Sequence, residues 1–314
     1  MPLHSYTEIY DLVAARPEGY IITVLGPTAT GKTRLAVQLA RDFNAEIISA
    51  DSRQVYRGMD IGTGKDLSDY IIEGEQIPYH LVDIVEPGTE YNVAQYQRAT
   101  YAAMDDIRAR GKEVLLCGGS GMYVEAILGG YRLSPIERDE QLWAELNAKS
   151  DEELTNMLAS FHSLHNHTDT CERARLLKAV EIECYYARHP EWQQCVREVP
   201  SLIIGLCGDR DLIRSKITAR LRQRLDEGMI EEVDTLIKKG TNVQQLLKYG
   251  LEYKFVTMYL LGQITKEEMF EKLNIAIHQF SKRQMTWFRK MERDGFEIHW
   301  VDIAELRSKK MPSE

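Results

Sequence analysis

A glycine-rich loop that joins an apolar segment to an amphipathic one constrains this chain more than any other feature. Tyr20–Leu25 is almost entirely apolar, and the sequence GPTATGKT follows it at residues 26–33. Small and apolar residues at helical spacing come next: Leu35, Ala36, Leu39 and Ala40. The pattern G-x-x-x-x-G-K-T between a strand and a helix is typical of a phosphate-binding loop. The sequence therefore predicts a βα unit that holds a phosphorylated ligand, with an ordinary tight turn as the alternative.

Each residue type in this loop is suited to hold phosphate. Glycines let backbone N–H groups wrap around an anion, and the N-terminus of the following helix favours negative charge. Lys32 supplies a positive charge, and the hydroxyl of Thr33 can ligate Mg²⁺, the cofactor we expect. We predict that the whole loop binds the ligand: Gly26, Pro27, Thr28, Ala29, Thr30, Gly31, Lys32 and Thr33. The loop does not indicate which diphosphate it holds.

Apolar runs alternate with helical patterns along much of the chain. The buried strands that we predict are Tyr20–Leu25, Ala45–Ala50, His80–Val85, Glu113–Cys117, Ser201–Cys207 and Glu297–Val301. Strands that alternate with helices form parallel sheets. We therefore predict an α/β fold in which a parallel sheet carrying the phosphate loop is flanked by helices.

The strand pattern stops between residues 134 and 199, where helical segments replace it. Capping-box pairs predict two helix starts there, Ser150 with Glu153 and Asp169 with Glu172. Because the strand pattern resumes at Ser201, this stretch is interpreted as an insertion. We predict a discontinuous core, residues 1–133 and 200–314, and an inserted all-helical domain at residues 134–199.

Three further helical segments are predicted in the core. Asn92, with Gln95 three residues later, begins a helix that ends near Gly111. A helical block covers Asp211–Lys239. Thr265, with Glu268, begins a very long helix that reaches about Arg293. Its apolar face comprises Met269, Leu273, Ile277, Phe280 and Met291.

Composition excludes several classes of protein. The chain has 314 residues, 44% of them hydrophobic and 28% charged, so it is long enough for about two folded domains. No apolar stretch approaches the roughly 20 residues of a membrane span, and no secretory signal begins the chain. The five cysteines show no C-x-x-C pair, so we expect free thiols and a cytoplasmic protein. A net charge of −9 argues against bulk nucleic-acid affinity but not against a local basic groove.

Two polar segments follow predicted strands at the edge where ligands bind in such sheets. Asp51 follows the second strand, and Gly118-Gly119-Ser120-Gly121 ends the strand that begins at Glu113. A turn or capping role for Asp51 and a plain β-turn for the glycine segment remain alternatives. No acidic residue ends that later strand, which weakens a kinase interpretation without eliminating it.

Five segments together resemble the tRNA dimethylallyltransferase family, also called tRNA isopentenyltransferases. They are GPTATGKT, DSRQVYRGMDIGTGK (51–65), PYHLVDIVEP (78–87), GGSGMYVEAIL (118–128) and SKRQMTWFRK (281–290). They stand in the family's order and extend the resemblance over residues 20–302. The resemblance implies transfer of a dimethylallyl group from dimethylallyl diphosphate to N6 of the adenine 3′-adjacent to the anticodon of tRNA. It also implies that the phosphate loop holds the donor's diphosphate rather than ATP.

The resemblance further implies roles for single residues. Asp51 would be the general base, and Ser120 would supply a hydroxyl near the diphosphate where the family has threonine. Arg220 would lie near the leaving group with Lys32, whereas the local pattern alone favours a solvated helix charge. The residues expected to bind tRNA are Asp51, Ser52, Arg53, Gln54, Arg175, Lys178, Gln279, Lys282, Arg283 and Gln284.

The insertion departs from the family pattern, since Lys178 replaces an arginine and Glu172 an asparagine. We expect Trp287 and Phe288 to pack in the core rather than to stack on bases. The expected partners are tRNA and dimethylallyl diphosphate, without a membrane, and the chain is expected to be a monomer. A free-nucleotide prenyltransferase, a small-molecule kinase and a nucleotide-gated RNA-binding module remain alternatives. The identity of the modified tRNAs does not follow from the sequence.

Overall fold

A computed structural model of the protein describes residues 5–133, 139–161, 172–189, 197 and 199–308. The chain divides into a core unit, Met1–Gly129 with Val199–Glu314, and a helical unit, Gly130–Glu198. The predicted helix start at Asp169 lies outside the described residues. The described cysteines are free thiols: Cys117, Cys184 and Cys207. Within the described residues, no helix is both long and apolar enough to cross a bilayer.

The core unit is built on a parallel sheet. The strands of the core unit are β1 (Ile21–Leu25), β2 (Ala45–Ser49), β3 (Ile71–Ile72), β4 (Glu75–Gln76), β5 (Tyr79–His80), β6 (Glu113–Gly118), β7 (Ser201–Cys207) and β8 (Ile298–Asp302). Among the described residues, six strands form one sheet in the order β5-β2-β6-β1-β7-β8, and all of its pairs are parallel. Strands β3 and β4 form a separate antiparallel pair. The predicted α/β fold with a parallel sheet is confirmed.

Helices cover both faces of this sheet. In chain order the helices are α1 (Tyr6–Ala14), α2 (Lys32–Asp42), α3 (Val93–Ala109), α4 (Gly121–Leu128), α5 (Glu140–Asn147), α6 (Asp151–Phe161), α7 (Arg173–Arg188), α8 (Arg210–Asp226), α9 (Met229–Lys238), α10 (Val243–Leu246), α11 (Leu251–Leu260), α12 (Lys266–Arg293) and α13 (Ile303–Ser308). A 3₁₀ turn covers Leu67–Tyr70. Helices α5, α6 and α7 belong to the helical unit.

Alternate residues of each strand enter different hydrophobic clusters. In β1, Ile22 and Val24 pack with α2, α8, α9 and α11, whereas Ile21 and Leu25 pack with α3 and α4. Strands that are buried on both faces need apolar residues at every position, which explains their continuous apolar runs. Helix α12 contributes to both clusters, with Met269 and Leu273 in the first and Phe288 and Met291 in the second.

The predicted helix starts at Asn92 and Thr265 are confirmed. Each side chain accepts a hydrogen bond from the N–H three residues later, and the side chain at that later position bonds back to the capping residue's N–H. These capping boxes satisfy N–H groups that have no partner inside a helix. Ser150 and Glu153 exchange the same pair of bonds before α6.

One strand prediction in the core unit is wrong, and one predicted helical block contains two helices. The strand predicted for His80–Val85 ends at His80, because Leu81 (φ 62°) and Asp83 (φ 55°) adopt left-handed backbone that a strand does not allow. The helical block predicted for Asp211–Lys239 is two helices, because Gly228 (φ 101°) interrupts it between α8 and α9. Both differences between prediction and structure arise from local backbone geometry, which the pattern of apolar residues does not indicate.

The helical unit has a small core of its own. Arg173, at the start of α7, donates to the carbonyls of Asn147 (2.8 Å) and Lys149 (2.9 Å), at the end of α5 and in the turn after it. Its buried apolar residues come from all three helices: Leu142, Leu146, Leu154, Leu158, Leu176, Leu177 and Val180.

A carboxylate from α9 holds the loop that follows Met59. Glu232 accepts hydrogen bonds from the N–H groups of Asp60 (2.8 Å), Ile61 (2.7 Å) and Gly62 (3.1 Å). It also accepts one from the hydroxyl of Tyr253 (2.6 Å). Burial and then the Glu232 carboxylate raise the pKa of Tyr253 well above its usual value, so the phenol stays protonated and donates. One carboxylate therefore fixes three consecutive backbone N–H groups.

We expect Glu232→Ala to lower the free energy of unfolding by about 2–3 kcal/mol, because it leaves these N–H groups and the phenol without their acceptor. Urea denaturation measures the loss. Glu231→Ala, at the exposed neighbouring position on α9, is the matched control. A difference between the two variants below about 0.5 kcal/mol would contradict this role, because that is the usual range of surface substitutions.

Candidate active site

A cavity of about 670 Å³ opens at the carboxyl edge of the sheet. Three of the segments that line it follow neighbouring strands, namely the phosphate loop after β1, Asp51–Gln54 after β2 and Gly118–Gly121 after β6. Helices α8, α11 and α12 supply much of the remaining wall, together with the loop residues 62–64 and the segment 247–250 before α11. The structure thus brings the phosphate loop, Asp51 and Ser120 together in one cavity.

The phosphate loop is a tight turn stabilised by its own side chains. The hydroxyl of Thr30 and the ammonium group of Lys32 both donate to the carbonyl of Pro27, and each hydrogen bond is 2.8 Å long. Gly26 has φ 151°, and a Cβ there would lie 2.7 Å from the Leu206 carbonyl. Gly31 adopts left-handed backbone (φ 85°) immediately before α2 begins at Lys32. Both glycines are therefore required by the path of the backbone.

Lys32 is the charged group of the loop. Desolvation lowers the pKa of Lys32 to about 8, with Arg220 acting in the same direction and Asp51 opposing it. Its charge is thus poorly compensated by the protein alone. A bound anion would supply the missing compensation.

Asp51 faces the cavity from the end of β2. Its Oδ1 accepts a hydrogen bond from the N–H of Arg53 (2.9 Å). Within the described part of the chain, no hydrogen bond to Oδ2 is found. Asp51 therefore does stabilise the turn through Oδ1, as the alternative interpretation expected. Its second oxygen, Oδ2, is available to a ligand.

Ser120 ties the segment after β6 to the segment after β2. Its Oγ accepts a hydrogen bond from the N–H of Ser52 (3.0 Å), and its own N–H donates to the carbonyl of Ala50 (3.2 Å). A side chain at Gly118 would collide with the Ala50 backbone. The glycine segment is therefore a close backbone contact that carries a hydroxyl into the cavity wall.

Gln284 of α12 bridges two of these loops. Its Oε1 accepts from the N–H of Thr28 (2.9 Å), and its Nε2 donates to the carbonyl of Gly119 (2.8 Å). The residue is 7% exposed. Both ends of the amide are used within the protein, a geometry that does not fit the RNA contact predicted for Gln284. Its position indicates instead that it holds the phosphate loop and the Gly119 turn at a fixed separation.

Arg220 lies on α8, lines the cavity and forms an ion pair with Asp66. Sequence reasoning missed Arg224, which is buried one helical turn later and also lines the cavity. The four-residue spacing was the available signal, because residues i and i+4 share a helix face. Glu252 and Tyr253 of α11 were missed as well, since nothing in their local pattern separates them from other residues of an amphipathic helix.

The predicted RNA-binding residues occupy different places. Ser52, Arg53, Gln54 and Arg283 line the cavity. Gln279 and Lys282 are exposed on α12 outside the cavity lining.

Arg175 and Lys178 are exposed on the helical unit, where they pair with Glu172 (3.3 Å) and Glu181 (2.7 Å).

Three aromatic and apolar expectations on α12 have different outcomes. Phe280 was expected on the apolar face, but it is 38% exposed and lines the cavity. The guanidinium carbon of Arg283 lies 5.9 Å from the centroid of its ring. Phe288 is fully buried, as predicted. Trp287 packs against Gly121 and also lines the cavity. A helical pattern does not separate a core face from a cavity face, because both are apolar.

Comparison with known sequences places this site in a family. The model of the IPP transferase family matches residues 54–291. A tRNA dimethylallyltransferase 2 from Bacteroides fragilis is 55% identical over 288 residues, which cover 92% of this chain and 94% of that protein.

Solved structures agree in fold. The tRNA isopentenylpyrophosphate transferase from Bacillus halodurans superposes with a TM-score of 0.65 at 32% identity, over 91% of this chain and 90% of that one. A eukaryotic dimethylallyltransferase, determined acting on tRNA, has a TM-score of 0.73 at 21% identity, over 91% and 74% of the two chains, and shows the shared fold. The resemblance drawn from the sequence motifs is confirmed, and this chain belongs to the IPP transferase family.

Proposed function

We propose that this protein transfers a dimethylallyl group from dimethylallyl diphosphate to N6 of the adenine 3′-adjacent to the anticodon of tRNA. The observation that carries the proposal is the convergence of a phosphate loop, Asp51 and Ser120 on one cavity, in a member of the IPP transferase family. The name of the 55% identical relative, tRNA dimethylallyltransferase, supports the same reaction.

The phosphate loop suits the diphosphate of the prenyl donor. Lys32 and the N–H groups at the start of α2 supply positive charge to the cavity. As the allylic C–O bond breaks, negative charge accumulates on the departing diphosphate, and fixed donors stabilise that charge. Arg220 lines the same cavity and can assist.

The residues present fit a magnesium ion held mainly by the diphosphate. Thr33 lines the cavity beside Lys32, and the described residues contain no group of three His, Cys, Asp or Glu side chains that could hold a metal alone. Mg²⁺ at phosphate sites is typically bound through few protein oxygens, together with phosphate oxygens and water. When bound, the ion would neutralise charge on the diphosphate.

Asp51 suits the role of general base. The exocyclic amine of adenine is a weak nucleophile because its lone pair is delocalised into the ring. Formation of the C–N bond must therefore accompany loss of an N–H proton, which a carboxylate within hydrogen-bond reach accepts. The Oδ1 bond to Arg53 fixes the carboxylate, and Oδ2 is left to aim and deprotonate the amine.

The acceptor base must reach this cavity from a folded RNA. Adenine N6 lies on the base-pairing edge, so the nucleotide has to be unstacked and inserted. Exposed cations of α12, Lys282 and Arg283, are suited to contact RNA phosphates beside the cavity. We assign residues 134–199 as an anticodon stem-loop contact through the exposed Arg175 and Lys178, and residues 1–133 with 200–314 as the catalytic core.

A labelling experiment tests this function directly. The protein is incubated with labelled dimethylallyl diphosphate and with bulk tRNA, AMP or no acceptor. Label should enter tRNA alone. Transfer to AMP would identify a free-nucleotide enzyme, and a requirement for ATP would identify a phosphoryl-transfer enzyme.

We expect Lys32→Ala to reduce turnover by at least about a hundredfold, because it removes a cation that faces the leaving diphosphate. The affinity for tRNA should hardly change. Steady-state prenylation and tRNA binding measure the two effects, with the exposed Lys238→Ala as the matched control. Normal turnover in Lys32→Ala would contradict the assignment of the loop to the donor.

We expect Asp51→Asn to lower kcat by about 10²–10⁴-fold, the usual contribution of a general base, with much smaller changes in donor and tRNA affinity. Asparagine keeps the oxygen that accepts from Arg53, so the turn is preserved while the base is lost. Single-turnover prenylation at saturating tRNA and donor isolates the step. A variant within about threefold of wild type would leave Asp51 with a turn role alone.

We expect Lys282→Ala/Arg283→Ala to weaken tRNA binding and to reduce the slope of log affinity against log salt by roughly 1.4, since each phosphate contact to a single strand contributes about 0.7. The matched control is Lys266→Ala/Lys272→Ala, which removes two exposed lysines near the start of the same helix. Binding is measured at several salt concentrations. Equal slopes in the two double variants would refute the RNA contact.

A further inference from the structure

Two arginines enter the cavity from one face of α8. Arg220 and Arg224 lie one turn apart, and both line the cavity. Gly64 (φ 68°) makes room for them, because a side chain there would collide with Arg224 and lie 2.9 Å from Nη2 of Arg220. The loop held by Glu232 therefore packs directly on the two guanidinium groups.

Arg224 differs from Arg220 in its burial and in its lack of a partner. It is 9% exposed, and its buried Nε has no hydrogen-bond partner in the structure. Within the described residues, neither an ion pair nor a hydrogen bond to its guanidinium group is found. Desolvation lowers the pKa of Arg224, and the neighbouring Arg220 lowers it further. A buried guanidinium without hydrogen bonds is costly, and such groups in folded proteins normally have a partner.

The protein compensates this charge only from a distance. Glu252, in the first turn of α11, lowers the cost of the Arg224 charge electrostatically, and Arg224 in turn opposes the rise that burial causes in the pKa of Glu252. No direct ion pair joins the two side chains in the part of the chain that the structure describes. Arg224 therefore retains its capacity to donate hydrogen bonds into the cavity.

We propose that Arg224 is a second arginine that binds the donor's diphosphate, beside Arg220 in the cavity that Lys32 also lines. The inference rests on the proposed function, because it assumes that the diphosphate occupies this cavity. A guanidinium fork matches phosphate oxygens, and charge-assisted hydrogen bonds of this kind are about twice as strong as neutral ones. A backbone phosphate of RNA is a poorer match, since a side chain that is 9% exposed lies below the surface that RNA contacts.

Arg220 already has an ion-pair partner in Asp66, whereas Arg224 has none among the described residues. A bound diphosphate would therefore add a partner for Arg220 and supply the first one for Arg224. Binding would give Arg224 its missing acceptors and offset the repulsion between the two guanidinium groups. The free energy of diphosphate binding should therefore depend strongly on Arg224, although this residue lies one helical turn away from Arg220.

Binding of inorganic pyrophosphate with Mg²⁺, measured by calorimetry on the full chain, tests the proposal without requiring prenyl transfer. Arg224→Met, which keeps much of the volume and removes the charge, should weaken pyrophosphate binding about 10- to 100-fold. Arg224→Lys, which keeps the charge and loses the fork, should give an intermediate loss. The matched control is Arg222→Met, an exposed arginine on the same helix, which should bind as wild type. Affinity for tRNA should stay unchanged in all three variants.

Pyrophosphate affinity within about twofold of wild type in Arg224→Met would overturn the proposal, and so would a loss confined to tRNA binding. Pyrophosphate binding by Lys32→Ala distinguishes a failure of the Arg224 proposal from a failure of the proposed function. If Lys32→Ala loses pyrophosphate binding and Arg224→Met keeps it, only the proposed role of Arg224 is refuted. If both variants keep pyrophosphate binding, the assignment of the phosphate loop to the diphosphate fails as well. Should Arg224→Met not fold, Arg224→Lys decides, with wild-type affinity overturning the proposal.

Discussion

The parallel pairing of β2, β6 and β1 is the constraint on which the candidate site depends. The register places Leu25 beside Gly118 and Ser49 beside Cys117, so the three strands end at nearly the same level of the sheet. In a parallel sheet, the segments that leave neighbouring strands then emerge side by side. The phosphate loop, Asp51 and Ser120 converge for this reason, although 69 residues separate the last two along the chain. A slip of one residue in this register would turn the side chains of the strands to the other face of the sheet.

Helix α12 connects this edge to the rest of the core unit. Its first half packs in one hydrophobic cluster and its second half in the other, so its middle passes the carboxyl ends of the strands. There the buried Gln284 bonds to the phosphate loop and to the Gly119 turn, while Lys282 and Arg283 are exposed. Gln284 therefore links α12 to both loops. The same helix thus carries two exposed cations and the side chain that bonds to the phosphate loop.

The electrostatics of the cavity favour an anionic ligand. Lys32, Arg220 and Arg224 line it with Asp51 and Glu252, and desolvation lowers the pKa of both Lys32 and Arg224. Positive groups that lose solvation without gaining a full partner store unfavourable free energy in the free protein. An anion that enters this cavity recovers part of that energy, which makes binding selective for charge.

The sequence by itself determined the alternation of strands and helices, the phosphate loop and the capped starts of α3 and α12, because each depends on residues close together in the chain. It also supplied the family motifs that select Asp51 and Ser120. The tertiary structure decided what periodicity cannot encode: that Leu81 and Asp83 leave the strand, that Phe280 faces a cavity and that Gln284 lies between two loops. Arg224 belongs to this second group. In the sequence it is one charge among several on α8. Only the tertiary structure packs Gly64 against it and buries its Nε without a hydrogen-bond partner among the described residues.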